Sequence, residues 1–427
     1  MRVIAMLAAI GLGTAAIAAP PALPITPVAK VAASNGFRQA MATIDAEHDR
    51  TVEDIITLTE IPAPPFKEAA RAAAYRDMFV KHGLKDVTID QEGNVVGIRP
   101  GTKPGGPALV VSAHLDTVFP EGTDVTVRRE GTKLMAPGVG DDTRSLAVLL
   151  AWMRAMDAAK VRTAADIIFV GTVGEEGTGD LRGVRHFFTA SPHRARVGGF
   201  ISVDGTAPDR VTNGGVGSKR YKVTYSGPGG HSFGAFGLVN PMSAMAKAIN
   251  GLYEITPPTS PKTTYSASVI EGGTSVNSIP NAISAEFDLR SAGAAELAAI
   301  DKAFAAIVEA AAAAENRERS TSAGSIEAKM EVIGDRPAGE TPADSPFVAT
   351  VAAAVKSQGY TAELGSSSTD SNLPMSIGVP AVTIGSGGTG GRAHALDEYI
   401  DVEKGASVKG MGVGLAAILA LAGMQGN

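Results

Sequence analysis

The sequence contains no cysteine. Disulfides, thiolate nucleophiles and cysteine-held zinc are therefore excluded. Any metal must be held by His, Asp and Glu, a donor set that suits zinc, manganese or cobalt in a hydrolytic site. Positive charge is also short. The 38 Lys and Arg face 44 Asp and Glu, for a formal net charge of −6. No basic run exceeds a pair or two, which disfavours nucleic acid as the main partner, because phosphate binding needs clustered Lys and Arg. Long apolar runs are few. Val3 to Ile17 follows Arg2, is short for a spanning helix, and ends in Pro20-Pro21. Ala16-Ile17-Ala18 fits the small-x-small cleavage rule, so residues 1–18 read as a signal peptide of an exported protein, periplasmic or secreted, with no membrane attachment after its removal. The other run, Val413 to Met424, contains Gly414 and Gly423 and reads as a buried final helix.

What is present is ample. The 427 residues are 44% apolar and 19% charged, enough for two domains or one large domain with an insertion. Residues 19–36, rich in Pro and Ala, read as a linker. From residue 37 to 212 helix and strand patterns alternate. Thr51 to Glu60, Ala69 to His82 and Ser145 to Ala159 are predicted helices, the last with Leu146, Leu149, Leu150 and Met153 at helical spacing. Leu109 to His114, Asp166 to Val173 and Phe200 to Val203 are predicted buried strands. Such alternation argues for a mostly parallel sheet with helices on both faces. Residues 213–326 differ. Tyr221, Val223 and Tyr225 alternate with polar residues, as do Ile283, Ala285, Phe287 and Leu289, and helices are expected over 241–252 and 294–314. This reads as an inserted α+β unit. In residues 327–427 the first pattern returns, with a helix at 347–358 and a strand at 381–384.

Five acidic or histidine clusters stand at or near predicted strand ends, where open α/β sheets bind ligands. His114 and Asp116 are two apart on an extended segment and point the same way, so His114 reads as a metal ligand and Asp116 as its orienter. Asp141-Asp142 precedes the 145–159 helix; one carboxylate caps it and the other is free to bridge two ions. Glu175-Glu176 leaves the 166–173 strand with the two side chains diverging, one suited to a metal and the other to act as general base. Asp204 and His394 stand near the ends of two further strands. Each cluster alone also reads as a solvated turn or strand end. Together, two imidazoles and three carboxylates (His114, Asp141, Glu176, Asp204, His394) balance two divalent cations and a hydroxide, and give each ion the N and O donors that zinc prefers.

The order of these motifs resembles the dinuclear zinc hydrolases that include peptidase T, glutamate carboxypeptidase and aminoacylase. His114-Leu115-Asp116-Thr117-Val118, Asp141-Asp142, Glu175-Glu176, Gly229-Gly230-His231-Ser232, Asn277-Ser278-Ile279-Pro280 and the His394 loop carry the likeness. The resemblance implies two Zn2+ per subunit, with Mn2+ or Co2+ as substitutes. His114, Asp141 and Asp204 would hold one ion, and Asp141, Glu176 and His394 the other. Glu175 would be the general base and Asp116 would position His114. His231 would stabilise the oxyanion, in family dimers often across the subunit interface. Asn277 and Arg290 would bind the substrate's polar end or carboxylate, although Arg290 also reads as a plain strand-end charge. The family usually continues after Asp142 with Lys and glycines, whereas this chain has Thr143-Arg144-Ser145. The implied architecture is an α/β catalytic domain interrupted by an α+β lid or dimerisation domain, in a homodimer. The implied activity is exopeptidase action on short peptides, with Asp204 pointing toward aminopeptidase action on di- and tripeptides, and with carboxypeptidase or N-acyl amino acid hydrolysis as the alternative.

Two readings of other classes compete. Gly230-His231-Ser232-Phe233-Gly234 matches the nucleophile elbow of serine esterases, but leaves Asp141, Glu175, Glu176 and Asp204 unexplained. A non-catalytic binding protein would be expected to lack a ligand or the base, and this sequence keeps all of them. Gly177 to Gly183 has one residue too many for a dinucleotide fingerprint and follows two glutamates that would repel a pyrophosphate.

Overall fold

The computed structural model describes residues 19–426. The expected signal peptide, residues 1–18, lies outside the described residues. The chain lays down β1 (Lys85–Ile89), β2 (Val95–Arg99), β3 (Ala108–His114), β4 (Asp166–Thr172), β5 (Val197–Val203) and β6 (Arg210–Gly215) of one large sheet. It then builds a smaller sheet from β7 (Gly217–Ser226), β8 (Thr263–Gly272), β9 (Ala282–Ser291) and β10 (Glu327–Arg336). It returns to the large sheet with β11 (Gly339–Glu340), β12 (Glu363–Ser367) and β13 (Ala381–Ile384). The helices are α1 (Val28–Ala33), α2 (Asn35–Ala46), α3 (His48–Thr59), α4 (Ala69–Lys81), α5 (Arg144–Ala158), α6 (Arg182–Ala190), α7 (Pro241–Tyr253), α8 (Ala294–Glu318), α9 (Pro346–Ser357), α10 (Asn372–Ser376) and α11 (Lys404–Leu421).

The large sheet has the order β1-β2-β4-β3-β5-β13-β6-β11, with β12 also on β6. Its centre, β4-β3-β5-β13, is parallel. Its margins are mixed, since β1, β2 and β4 pair antiparallel, as do β13, β6 and β11. The sheet is thus less uniformly parallel than the sequence pattern suggests. At one edge the cause is local. Asp90 Oδ1 accepts the N–H groups of Glu92, Gly93 and Asn94, each at 3.0 Å, and closes a tight hairpin that forces β1 and β2 antiparallel.

Every residue of β3, β4 and β5 is buried, as expected of parallel strands covered on both faces. The predicted apolar stripe of α5 understates its burial, since all residues from Arg144 to Met156 are buried. The helix lies between β3 and the outer helices α2 and α3, so no side faces water. Trp152 is pinned there by its indole N–H, which donates to Met411 O of α11 at 3.0 Å. Among the described residues α11 alone is long and apolar enough to cross a membrane. Its residues from Gly410 to Leu421 are buried in the protein, which makes it a core helix. The segment 19–36 is not a linker over its second half. Val28 and Val31 are buried on α1, which packs on α9 and α11, and Ser34 caps α2 by accepting the Phe37 N–H.

The small sheet has the order β8-β9-β7-β10, antiparallel throughout. Tyr221, Val223, Tyr225, Ile283, Phe287 and Leu289 face α7 and α8, where Phe287 and Phe304 meet at 4.7 Å between ring centroids. β10 falls inside residues 327–427, the stretch expected to rejoin the first domain, yet it pairs with β7. Its burial is sparse and mostly partial, although Ala328 and Met330 alternate with charged residues and pack on the small-sheet core. Where the chain enters and leaves the small sheet, the Asn372 amide donates to Val216 O (2.8 Å) and Pro337 O (3.0 Å), tying both crossings together.

Candidate metal centre

Register brings the clusters together. His114 ends β3 opposite Thr172 of β4, and Ser112 lies opposite Ser202 of β5. Ser202 in turn lies opposite Thr383 of β13. The chain leaves these neighbouring strands on one side, through Glu175-Glu176 after β4, Asp204 after β5 and the glycine-rich loop to His394 after β13.

Asp141 is the centre of the group. Its Oδ1 lies 2.9 Å from His114 Nε2 and its Oδ2 3.2 Å from His394 Nε2, so each oxygen serves one imidazole. His394 Nε2 also meets Glu176 Oε1 at 2.9 Å. Asp141, Glu176 and His394 offer ligand atoms within 4.8 Å of one another. So do His114, Asp142 and Asp204, and His114, Glu175 and Glu176. Asp142 thus appears beside His114 and Asp204 where Asp141 was expected. Its Oδ2 accepts the His114 backbone N–H at 3.0 Å, while its Oδ1 is buried without a partner.

The supporting contacts are specific. His114 Nδ1 faces the Asp116 backbone oxygen at 3.0 Å and its carboxylate at 3.7 Å. The Asp116 carboxylate accepts the N–H groups of Glu175 (3.1 Å) and Glu176 (2.8 Å), so this fully buried residue orients three functional positions. Glu398 accepts the N–H groups of Gly138, Gly140 and Asp141 at 2.9, 2.8 and 2.8 Å and fixes the loop that carries Asp141. Arg336, the last residue of β10, donates to Glu175 Oε1 at 3.2 Å and to its backbone oxygen. The departure at Thr143-Arg144 is absorbed structurally. Thr143 Oγ1 meets Thr59 Oγ1 at 2.6 Å, and Arg144, its guanidinium pushed down to about 10 by burial, packs against Gly388.

The electrostatics suit a cation. Burial pushes Glu175 well above the usual carboxylate range despite Arg336, and burial with Asp141 nearby pushes Asp204 up to about 7. His394 is pushed up to about 10 by hydrogen bonds to Asp141 and Glu176. For His114 burial acts downward, but Asp142, Asp141 and Asp116 outweigh it and hold the imidazole well above its ordinary value. Carboxylates crowded in a buried place, one oxygen orphaned, are costly without positive charge between them. The N and O donor set fits divalent metal ions.

A cavity of about 640 Å³ opens over the group, and Asp141, Glu175, Glu176, Asp204, His394 and Arg290 line it. His231 and Asn277 do not. They sit exposed on a short ribbon, Gly230–His231 paired with Ser278–Ile279. That ribbon is beyond the far ends of β7 and β9, while Arg220 and Arg290 stand near the cavity. Six strand residues separate Arg220 from Ser226, about 20 Å. Neither His231 nor Asn277 therefore stands at the cavity of its own chain. Nor is Ser232 a nucleophile elbow. The preceding strand has two residues, turns rather than a helix follow, and its hydroxyl has no histidine partner among the described residues. Arg336 and Glu398 carry no motif that marks their contacts in the sequence. Glu398 lies four residues beyond His394, whereas nothing in Gly334-Asp335-Arg336-Pro337 links Arg336 to Glu175.

No curated protein matches the chain. Solved structures do match in fold. Aminopeptidase PepT from Bacillus cereus superposes with a TM-score of 0.71 at 20% identity, covering 88% of this chain and 99% of that one. A tripeptidase from Staphylococcus aureus gives 0.72 at 19%, covering 87% and 98%. The Bacillus subtilis YXEP protein, described as a dinuclear metal binding peptidase, gives 0.63 at 18%, covering 88% and 98%. The sequence profile of peptidase family M20/M25/M40 matches residues 110–420, from β3 through nearly all of α11. With that match over most of its length, the chain belongs to peptidase family M20/M25/M40 and is a metallopeptidase-type hydrolase.

Proposed function

We propose that the chain is a two-metal exopeptidase of short peptides, favouring the amino end of di- and tripeptides. The observation that carries this reading is Asp141, which gives one oxygen to each of two imidazoles beside the carboxylates of Glu176 and Asp204. Two divalent ions, zinc foremost, held by His114, Asp141, Asp204, Glu176 and His394, would supply Lewis acidity toward the carbonyl and a lowered pKa for the attacking water.

The chain's own residues do the rest. Glu175 takes the proton of the attacking water and passes it to the leaving amine. Burial holds its carboxyl at a raised pKa, which suits a proton carrier near neutrality. Arg336 fixes its rotamer, and Asp116 fixes its backbone. Arg290 takes the substrate carboxylate with its planar fork. His231 and Asn277 contribute from a second copy of the chain, in a homodimer. An exported location rests on residues 1–18 alone.

Two measurements test the reading. Glu175→Gln should lower kcat by at least about 10²-fold while bound metal stays unchanged; a fully active variant removes the base assignment. Free and amino-blocked di- and tripeptides separate the modes. Cleavage restricted to free amino ends supports aminopeptidase action. Cleavage of blocked peptides replaces it with carboxypeptidase or N-acyl amino acid hydrolysis.

A further inference from the structure

Facing the carboxylates, the same cavity is walled by arginines. Arg220 on β7 and Arg290 on β9 stand on the small-sheet face that carries no helices. Register sets Arg220 opposite Asp288, and Asp288 and Arg290 share a face. Asp288 lies between the two, accepting Arg220 Nε at 3.2 Å and Arg290 Nε at 2.7 Å. One carboxylate against two guanidiniums leaves a positive charge over. Both bonds use Nε, so the terminal nitrogens of Arg290 donate to nothing among the described residues. Arg220 spends only Nη1, on Gly177 O at 3.4 Å. Arg210, at the start of β6, also lines the cavity, and its side chain makes no hydrogen bond or ion pair among the described residues. Arg336 is different: it is buried and engaged by Glu175 and Ser368.

The free donors point to the substrate. Of the four arginines lining the cavity only Arg336 is held by a site carboxylate, and Asp288 takes one nitrogen each from Arg220 and Arg290. A peptide with one terminal carboxylate leaves free donors unmatched. We propose that the cavity selects short peptides whose C-terminal residue is Asp or Glu. Arg290 takes the α-carboxylate, and the free donors of Arg220 and Arg210 take the side-chain carboxylate. This deepens the peptidase reading and rests on it.

The test compares Ala-Glu with Ala-Gln, which match in shape and differ in charge. The metal-loaded protein should favour Ala-Glu in kcat/KM by about tenfold or more, the worth of a charge-assisted pair. In the Arg210→Gln, Arg220→Gln double variant the ratio should move toward one. A ratio taken within one sample does not depend on the folded fraction. Equal rates in the unmodified protein, a preference for Ala-Gln, or an unchanged ratio in the double variant overturns the proposal. Calorimetric binding of free glutamate and glutamine separates the two readings. If neither dipeptide is cleaved the peptidase reading falls, yet tighter binding of glutamate still supports the anion subsite. Equal binding, or none, overturns it.

Discussion

Asp116→Asn is the most informative single change, because it alters one buried oxygen and leaves the shape intact. The carboxylate accepts the Glu175 N–H at 3.1 Å and the Glu176 N–H at 2.8 Å, and none of its surface reaches water. An amide can keep only one of these bonds, and its NH2 group then faces the other N–H. The orphaned donor costs about 1–3 kcal/mol, and loss of the charge weakens the surviving bond. The two N–H groups belong to the proposed base and a proposed ligand, so the disturbance should reach the metals. Partners of this kind, when removed, typically cost about 10–100-fold in metal affinity. Competition with a chromophoric chelator should find a loss in that range, and the metal-free protein should melt at a lower temperature than its parent. If affinity and melting temperature both match the parent, Asp116 does not organise the site and the argument from its hydrogen bonds is wrong.

Two further outcomes follow from the same geometry. In the metal-free chain hydrogen bonds to Asp141 and Glu176 push His394 up to about 10, so it carries a proton at pH 7.5. Metal ligation needs neutral imidazole, so binding should release about one proton or more per chain, read from the dependence of calorimetric enthalpy on the buffer; a slope of zero contradicts it. Away from the site, a Cβ on Gly414 would stand 2.3 Å from the Trp152 ring, which is buried and pinned to Met411. Gly414→Val should therefore destabilise by about 1–3 kcal/mol, seen as a lower melting temperature with metal content unchanged; an unaltered melt shows that α5 and α11 can part.

Much of the centre was legible because its parts end strands. His114, Glu176, Asp204 and His394 could be placed on neighbouring strand ends from apolar runs and the polar residues that stop them. Asp141 could be placed from the helix that follows it. Residues that act through tertiary contact left no such mark. Arg336 reaches Glu175 across 161 positions, and Glu398 reaches the Asp141 loop across 257. Pattern reading also erred where burial is incomplete. β10 is an edge strand whose Val332 and Ile333 stay exposed, so its apolar residues mark no buried face as plainly as those of β7 do. His231 and Asn277 carried family-like motifs, but a motif does not give distance, and the length of β7 and β9 holds both far from the cavity.

The Asn372 tie lies where both connecting segments pass, and Arg336 precedes Pro337 on one of them. The joint between the two sheets therefore sits beside Glu175, which Arg336 holds. Closing the small sheet and seating the proposed base depend on the same short stretch of chain.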